Sequence, residues 1–343
     1  MDTAGAWQVR RVVLSVLFLL VVALPLYPEL YGLDEVTPFT QLVAFRPQAL
    51  VLVLLVGLGM LLRWNWRIAA VLTILLAVTG GVLTAPRYLS DPNPPPPGTR
   101  ELTIMVANVL GGGADAAEVA KIIRLRRPDL VSLPEAQADV RQEIESHLQG
   151  LNFRGYTQQA NSAVESATSV LVSDSLGDVE FRSETLDPSR VSAQQPGTTD
   201  TAQTTTRFGH VIVTGGNLGK LRLIAYHGYP PLPSEVTTWK QDLLVVNRWC
   251  AAGQPTIVAG DFNATPDHAD FRSALGADCR SVAPSVGAGL QGTWPADRLA
   301  LFRTQIDHVL VTDGIIPGKF KTYDIEGSDH RAAVASVAVP KSD

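Results

Sequence analysis

The segment Thr256-Ile-Val-Ala-Gly-Asp-Phe-Asn-Ala-Thr-Pro266 runs from an apolar stretch into a polar turn. A short apolar run that ends in turn-forming residues predicts a strand in the protein interior. Because side chains alternate along a strand, Asp261 and Asn263 point to the same side at its carboxyl end. A carboxylate there can hold a divalent cation or take a proton from water, and the amide can orient that water. The alternative is an ordinary strand followed by an Asx turn, which Asp and Asn form readily.

Other polar side chains stand at or near the ends of apolar segments elsewhere in the chain, which favours the functional interpretation of Asp261. They are Asn108 after Leu102–Ala107, Glu135 after Leu130–Leu133, His227 after Leu221–Tyr226, Asp307 within Ile306–Leu310, and Asp329 with His330 before Arg331. His308 follows Asp307 on the same strand and is predicted to face the opposite way. We therefore interpret His308 as structural.

Three motifs, in their order along the chain, resemble the endonuclease/exonuclease/phosphatase superfamily, whose members have the DNase-like fold. The motifs are Gly260-Asp-Phe-Asn263 with Pro266, Ile306-Asp-His-Val309 and Gly327-Ser-Asp-His330. The resemblance covers residues 100–340 and implies an α/β (α+β) two-sheet sandwich with helices outside. The residue pattern agrees, because residues 101–148 alternate strand, helix, strand and helix before successive β segments follow.

The resemblance also implies a hydrolase that acts on phosphoester bonds with Mg²⁺ or Mn²⁺ as cofactor. Such hard cations take oxygen ligands, and a bound ion can polarise a phosphoryl oxygen and stabilise a leaving oxyanion. In the family, a carboxylate at the position of Glu135 holds the ion and the position of Asn108 assists. Asp329 matches a supporting or metal-proximal position, so these three residues form the predicted metal site.

Five residues match the family's catalytic positions: His227, Asp261, Asn263, Asp307 and His330. Asp261 would orient or deprotonate the attacking water, and Asn263 would contact the phosphate. His330 would contact the scissile phosphate, while Asp307 would either position a histidine or support the metal region. His227 would protonate the leaving group or bind the phosphate.

Some positions depart from the family pattern. The abasic-site endonuclease branch usually carries Tyr where this chain has His227, which favours the deoxyribonuclease-like and sphingomyelinase-like branches. Leu110 stands where some relatives carry an acid, so one or two metal ions both stay open. The substrate and the choice between a monoester and a diester also stay open.

The first ninety residues hold three apolar runs, Val12–Tyr27, Ala49–Leu62 and Ile68–Ala85. A membrane helix needs about 20 apolar residues, and flanking aromatic residues can extend the shorter runs. We predict an all-α membrane region, residues 1–90, with three transmembrane helices at about 12–30, 48–64 and 67–86. Together with the motifs, this predicts a membrane-anchored bacterial member of the superfamily. Residues 91–99 are a proline-rich linker to a catalytic domain at 100–340.

The arginines beside these runs predict their orientation, because basic residues are enriched on the cytoplasmic side of membrane helices. The bias is four to two: Arg10, Arg11, Arg63 and Arg67 against Arg46 and Arg87. The N-terminus is therefore predicted to be cytoplasmic. Three crossings place the catalytic domain outside the cytoplasm, in a multi-pass protein of the cell membrane.

The charge balance bears on the substrate. The formal net charge is −5, and the part after the linker is acidic, without the basic surface that a polyanion requires. The leading hypothesis is a membrane-anchored phosphodiesterase or phosphatase that acts on a lipid-linked or envelope phosphate. One alternative is an extracellular endonuclease or exonuclease that uses the cluster Arg124, Arg126 and Arg127. Another is a catalytically silent envelope binding module.

Two further features stay open at this level. Cys250 and Cys279 are either two buried thiols or a disulfide, since distance cannot be read from sequence. Residues 184–206 are rich in Ser, Thr, Gln and Gly, and are predicted to form a loop, either a solvated insertion or a border of the site. The oligomeric state is also open.

Overall fold

The structure is a computed structural model that describes residues 3–90, 94–183 and 207–341, with side chains from Val9 onward. The predicted loop 184–206 and the start of the predicted linker lie outside the described residues. The chain divides into two compact units. One contains the residues up to Pro86 together with Asp267–Ala269, and the other contains Arg87–Pro266 and the residues from Asp270 onward.

The first unit is helical. Its helices are α1 (Thr3–Leu26), α2 (Phe39–Val43), α3 (Arg46–Met60) and α4 (Arg67–Thr84). Two stretches of the described residues, Val9–Leu26 and Trp64–Tyr88, are long and apolar enough to cross a membrane. Soluble core helices and signal sequences pass the same test of length and composition.

The prediction of three transmembrane helices is therefore supported for two of them. The middle one, predicted at 48–64, falls on α3, which has 15 residues. At about 1.5 Å per residue this helix is roughly 22 Å long, shorter than a hydrocarbon core of about 30 Å. Its start is fixed by Pro47 in the first turn and by the ion pair of Arg46 with Glu29, 2.6 Å apart. The sequence showed an apolar run here but not where the helix begins.

The second unit contains two six-stranded sheets. In chain order the strands are β1 (Thr99–Val106), β2 (Leu130–Pro134), β3 (Phe153–Gln159), β4 (Ala167–Ser173), β5 (Val179–Arg182), β6 (His210–Gly215), β7 (Arg222–His227), β8 (Thr256–Asp261), β9 (Cys279–Ser281), β10 (Asp307–Thr312), β11 (Ile316–Tyr323) and β12 (Ala332–Pro340). The helices that follow in the chain are α5 (Ala116–Arg126), α6 (Ala138–Ser146), α7 (Val236–Cys250), α8 (Ala269–Leu275) and α9 (Val282–Ser285).

The two sheets have matching architectures. The first has the order β11-β12-β1-β2-β4-β3 and the second β5-β6-β7-β8-β10-β9. The two central strands of each sheet are parallel, β1 with β2 and β7 with β8, and their other neighbours are antiparallel. The predicted two-sheet α/β sandwich is therefore confirmed.

The core between the sheets follows from alternation along the strands. In β12, Ala333, Ala335 and Val337 join the cluster between the sheets, whereas Ala332 and Val334 join the cluster that contains side chains of α5 and α6. A third cluster joins β7, β8 and β10 to α7 and α8. Apolar side chains thus cover both faces of each sheet, and polar side chains are left for the strand ends.

Two further features stabilise the second unit. Asp115 caps α5, because its carboxylate accepts hydrogen bonds from the backbone N–H of Ala117 at 2.8 Å and of Glu118 at 3.2 Å. Cys250 at the end of α7 and Cys279 at the start of β9 form a disulfide, which the sequence left open. Because β9 pairs with β10, the disulfide ties the second sheet to α7.

Candidate active site

The predicted site residues gather at the carboxyl ends of the two central strand pairs. Asn108 and Glu135 follow β1 and β2, while His227 and Asp261 are the last residues of β7 and β8. The amide nitrogen of Asn108 donates to Glu135 Oε1 at 2.9 Å and to Asp261 Oδ2 at 3.1 Å. One side chain of the first sheet thus connects a carboxylate from each sheet.

Asn108 is held in this orientation from behind. Its Oδ1 accepts the backbone N–H of Leu110 at 2.9 Å, so the amide nitrogen, and not the oxygen, faces the carboxylates. The predicted metal residue Asn108 is therefore placed to orient Glu135 and Asp261 as a hydrogen-bond donor.

Asp307 and His330 complete the buried part of the site. Asp307 pairs in register with Asp261 across the antiparallel strands β10 and β8. His330 Nδ1 lies 2.9 Å from Asp307 Oδ2, and its Nε2 lies 3.6 Å from Asp261 Oδ2. Asp261, Asp307 and His330 offer ligand atoms that all lie within 4.8 Å of one another. The structure thus brings together three residues that are separated by up to 69 positions.

His227 approaches the same carboxylates from the other side. Its Nδ1 lies 2.9 Å from the carbonyl oxygen of Glu165, an acceptor, so Nδ1 carries the proton. Its Nε2 then presents a lone pair, 3.9 Å from both Glu135 Oε1 and Asp261 Oδ2. The ring of Phe208 packs against the imidazole with 4.7 Å between centroids. The ring orientation and the tautomer are thereby fixed.

Asn263 and Asp329 lie at the edges of the site. The backbone N–H of Asn263 donates to Asp261 Oδ1 at 2.8 Å, and its side-chain amide donates to the carbonyl of Gly228 at 3.0 Å. Asp329 Oδ2 accepts from the indole N–H of Trp294 at 3.0 Å, and its side chain is 39 % exposed. Asp329 is therefore partly open to solvent.

Two of the site residues have a left-handed backbone. Glu135 has φ 61° and Asn263 has φ 48°. Asparagine adopts this region readily, whereas glutamate rarely does, so the strain lies at Glu135. Strained conformations persist where the surrounding structure imposes them, and they cluster at functional sites. Glu135 follows the central parallel strand β2 directly.

Burial and neighbouring charges separate the pKa values of the site. Burial raises the pKa of the Asp261 carboxyl to about 7, and the charge of Asp307 acts in the same direction. Burial also raises the pKa of Glu135, against the hydrogen bond from Asn108. Burial lowers the pKa of His227 to about 3. Burial also acts to lower the pKa of His330, but the charges of Asp307 and Asp261 outweigh burial and raise that pKa to about 10. His227 is therefore neutral and His330 charged at neutral pH.

The donor set fits a hard divalent cation. Asp307 Oδ1 and Asp329 Oδ1 are buried oxygens without a hydrogen-bond partner among the described residues. The His227 lone pair also faces two carboxylate oxygens, Glu135 Oε1 and Asp261 Oδ2, which share the amide nitrogen of Asn108 as donor. Oxygen-rich sets of this kind suit Mg²⁺ or Mn²⁺.

Sequence reasoning missed several residues that support the site. Thr293 Oγ1 accepts the backbone N–H of Asp307 at 3.2 Å, and Ser328 Oγ donates to the Asn108 carbonyl at 2.8 Å. Trp294 holds Asp329, and Glu165 holds His227 through its backbone carbonyl. Backbone acceptors and loop residues have no periodicity, so only the Ser328 position beside Asp329 carried any signal.

Comparison with known proteins identifies the family and the fold of this chain. The model of the Endonuclease/Exonuclease/phosphatase family matches residues 105–330, and the chain belongs to that family. Members of the family include hydrolases of phosphoester bonds. No curated protein matches the sequence.

Solved structures share the fold. A humanized D. rerio TDP2 matches with a TM-score of 0.52 at 19 % identity, covering 69 % of this chain and 98 % of that one. D. rerio TDP2 complexed with single strand DNA product gives 0.51 and 18 %, with the same coverage. A family protein from Bacteroides vulgatus gives 0.50 and 15 %, again covering 69 % and 98 %. At these identities the likeness shows the fold alone.

Proposed function

We propose that the protein is a divalent-metal-dependent phosphoesterase, a phosphodiesterase or phosphatase, whose catalytic unit acts outside the cytoplasm on a lipid-linked or envelope phosphate. One observation carries the proposal: Asp261, Asp307 and His330 form a buried cluster beside Glu135 and His227 at the strand ends. The carboxylates of Asp261 and Asp307 share a single protonated histidine, an excess of buried negative charge that a bound cation would balance.

Three side chains of the site have separate roles in the proposed hydrolysis. Asp261, with a pKa near 7, takes the proton of an attacking water or orients that water. His330 stays protonated beside Asp307 and donates from Nε2 to the phosphate, whose charge grows in the transition state. His227 is neutral and accepts from Nε2, so we assign it to orienting the attacking water.

Glu135, Asp329 and the unpartnered oxygen of Asp307 would hold the cation. When bound, Mg²⁺ or Mn²⁺ polarises the phosphoryl oxygen and stabilises the leaving oxyanion. Asn108 keeps Glu135 turned toward this position through its 2.9 Å hydrogen bond. Asn263, beside Asp261, remains our proposal for a phosphate contact.

Three features support the membrane location. Among the residues that the structure describes, two helices are long and apolar enough to cross a bilayer, and the arginines around the apolar runs have the bias described above. The disulfide between Cys250 and Cys279 favours an oxidising compartment. A C-terminal alkaline phosphatase fusion is expected to be active in cells. An inactive fusion, beside an active cytoplasmic reporter at the same position, would place the catalytic unit inside.

The enzyme class is tested with the full chain in detergent. We expect Mg²⁺-dependent release of phosphate or headgroup from a bacterial lipid extract, and its loss in the presence of a chelator. Asp261→Asn is the control: activity should fall roughly 10³-fold, within the range for loss of a general base. The fold should persist, because the neutral amide relieves a buried carboxylate and leaves an oxygen for the Asn263 N–H.

Nicking of supercoiled plasmid, assayed in parallel, separates the alternatives. Nicking without lipid hydrolysis would make the protein a nuclease and would remove the lipid substrate. Asp261→Asn with unchanged activity would remove Asp261 from the mechanism. Silence in both assays, with no effect of divalent ions on thermal stability, would leave the binding module as the better interpretation.

A further inference from the structure

A buried carboxylate that the proposed mechanism does not use lies on α7. Asp242 is 2 % exposed and shares the inner face of the helix with Trp239 and Leu243, which belong to the apolar cluster between α7 and the second sheet. Burial in these surroundings raises the pKa of Asp242 to about 7. A carboxylate is costly at such a position unless hydrogen bonds satisfy it, so its hydrogen-bond partners indicate what it does.

Each oxygen of Asp242 accepts one backbone N–H, and the two donors come from different segments of the chain. Oδ1 accepts from Arg207 at 2.9 Å, and Oδ2 accepts from Tyr229 at 2.8 Å. Arg207 lies three residues before β6, and Tyr229 lies two residues after β7. One side chain of α7 thus joins the segment that enters β6 to the segment that leaves β7.

These two segments enclose the imidazole of His227. The first continues into Phe208, whose ring packs against the imidazole at 4.7 Å and against the Tyr229 ring at 5.0 Å between centroids. In the second, only Gly228 separates His227 from Tyr229, and its N–H donates to the Asp261 carbonyl at 2.8 Å. A shift of either segment would therefore move a direct neighbour of the imidazole.

The two hydrogen bonds require two acceptors on one side chain. A carboxylate has two acceptor oxygens, whereas the amide of Asn has one oxygen and one NH₂ donor. An amide at position 242 would therefore leave one of the two backbone N–H groups facing another donor, which costs free energy in the interior. An ionised aspartate satisfies both segments at once.

We propose that Asp242 is a positioning residue for His227. By holding the segments on both sides of the imidazole, it keeps Nδ1 on the Glu165 carbonyl and leaves Nε2 facing the site. The effect of Asp242 on turnover rests on the proposed function of this site. Its effect on the imidazole does not, because it acts through contacts within the protein.

The first experiment follows the tautomer of His227 and does not need turnover. The full chain, labelled with ¹⁵N-histidine, is studied by NMR in detergent at pH 8, where Asp242 is ionised and His227 is neutral. His227→Gln removes the two ring signals of His227 and so identifies them. In the wild type they should be those of a protonated Nδ1 and a bare Nε2. In Asp242→Asn the two signals should move toward each other, because a loosened ring exchanges between tautomers.

The matched control is Asp115→Asn. Asp115 also accepts two backbone N–H groups, but it does so as the cap of α5. This variant should leave the His227 signals unchanged. Unchanged signals in Asp242→Asn, or equal changes in the two variants, would overturn the proposal.

A second variant keeps the test decisive if Asp242→Asn disturbs the fold. His308, which contacts Ser281 and Ala264 in the second sheet, reports such a disturbance in the same spectrum. Phe208→Leu removes the ring that contacts the imidazole without introducing a buried donor. It should move the His227 signals in the same direction, with those of His308 unchanged. His227 signals that stay in place in Phe208→Leu would contradict the proposed route through this ring.

The second experiment measures turnover of soluble bis(p-nitrophenyl) phosphate. Asp242→Asn should lower kcat about tenfold, the loss expected for His227→Gln, with KM within about twofold. Because both changes act on one group, the double variant should fall no more than about twofold below His227→Gln alone. An additive loss of about a hundredfold would show that Asp242 acts elsewhere and would overturn the proposal. Wild-type silence on this substrate would instead count against the phosphoesterase and leave the tautomer result standing.

Discussion

Two corners of the active site contain a histidine each, and they hold it in opposite ways. His227 at the end of β7 and His330 before β12 are almost equally buried, at 1 and 5 % exposure. Their Nε2 atoms lie 3.9 and 3.6 Å from the same oxygen of Asp261. Yet burial leaves His227 neutral, with a pKa of about 3, while His330 has a pKa of about 10.

Much of the difference lies in the partner of Nδ1. His227 faces the carbonyl of Glu165, which fixes a tautomer but supplies no charge, and the charge of His330 lowers the His227 pKa further. His330 faces the carboxylate of Asp307, which offsets the cost of burying an imidazolium, and Asp261 adds to this effect. Burial alone therefore does not decide the charge of a histidine; the neighbouring charges decide it as well. Four substitutions test this contrast between a charged and a neutral buried histidine.

The largest effect is expected for His330→Gln. The variant lacks the charged donor proposed to face the phosphate, so kcat/KM should fall about 10²- to 10⁴-fold. Thermal stability should also fall, because the buried Asp307 carboxylate loses its charged partner, so activity is compared at a temperature where circular dichroism shows the variant folded. The assay is the lipid hydrolysis described above, and a loss below about tenfold would show that the charged corner is not where the phosphate reacts.

Asp307→Asn should have the next largest effect and should act through pH. Without the carboxylate, burial dominates and the pKa of His330 falls from about 10 toward or below its ordinary value of 6.5. A raised pKa keeps His330 charged up to that value, so in the variant the charged form is lost at lower pH. The alkaline limb of the kcat/KM profile should move down by more than one pH unit. An unshifted limb would mean that Asp307 does not set the charge of His330.

His227→Gln should have a smaller effect, about tenfold, since a glutamine oxygen can still accept a hydrogen bond but is less rigidly held. Because His227 is neutral at every pH above about 3, its loss should leave the shape of the pH profile between pH 5 and 9 unchanged. A limb that disappears in this variant would identify His227, rather than His330, as the ionising histidine.

His210 extends the contrast away from the site. It is 1 % exposed, and burial lowers its pKa to about 4. Its stabilising neutral form is complete above the unfolded value of about 6.5 and is lost as the pH falls toward 4. His210→Gln should therefore reduce the difference in unfolding free energy between pH 7 and pH 5 by about 2 kcal/mol. Urea titrations at both pH values measure it, and an unchanged difference would show that His210 does not contribute to acid sensitivity.

Much of the fold was predictable from local patterns. The apolar run before Asp261, the N-cap at Asp115 and the alternation along β12 all follow from burial and backbone geometry within a few residues. The motifs also predicted which residues would meet. What they did not contain was the register that sets Asp307 opposite Asp261, which depends on packing between distant strands.

The orientation of individual groups was not predictable. The left-handed backbone of Glu135 runs against its intrinsic preference and is imposed by the surrounding fold. The contrast between the two histidines depends on a backbone carbonyl at Glu165, which no side-chain pattern reports.

The two central parallel strand pairs have a consequence for how activity arises during folding. One pair ends in an amide and a carboxylate, Asn108 and Glu135, and the other in an imidazole and a carboxylate, His227 and Asp261. Each sheet contributes only part of the site, as each fragment of a split reporter does, and would be inactive alone. The Asn108–Asp261 hydrogen bond connects the two parts at the site. Turnover should therefore appear only at the last step of folding, when the sheets dock, and should vanish first when they begin to separate.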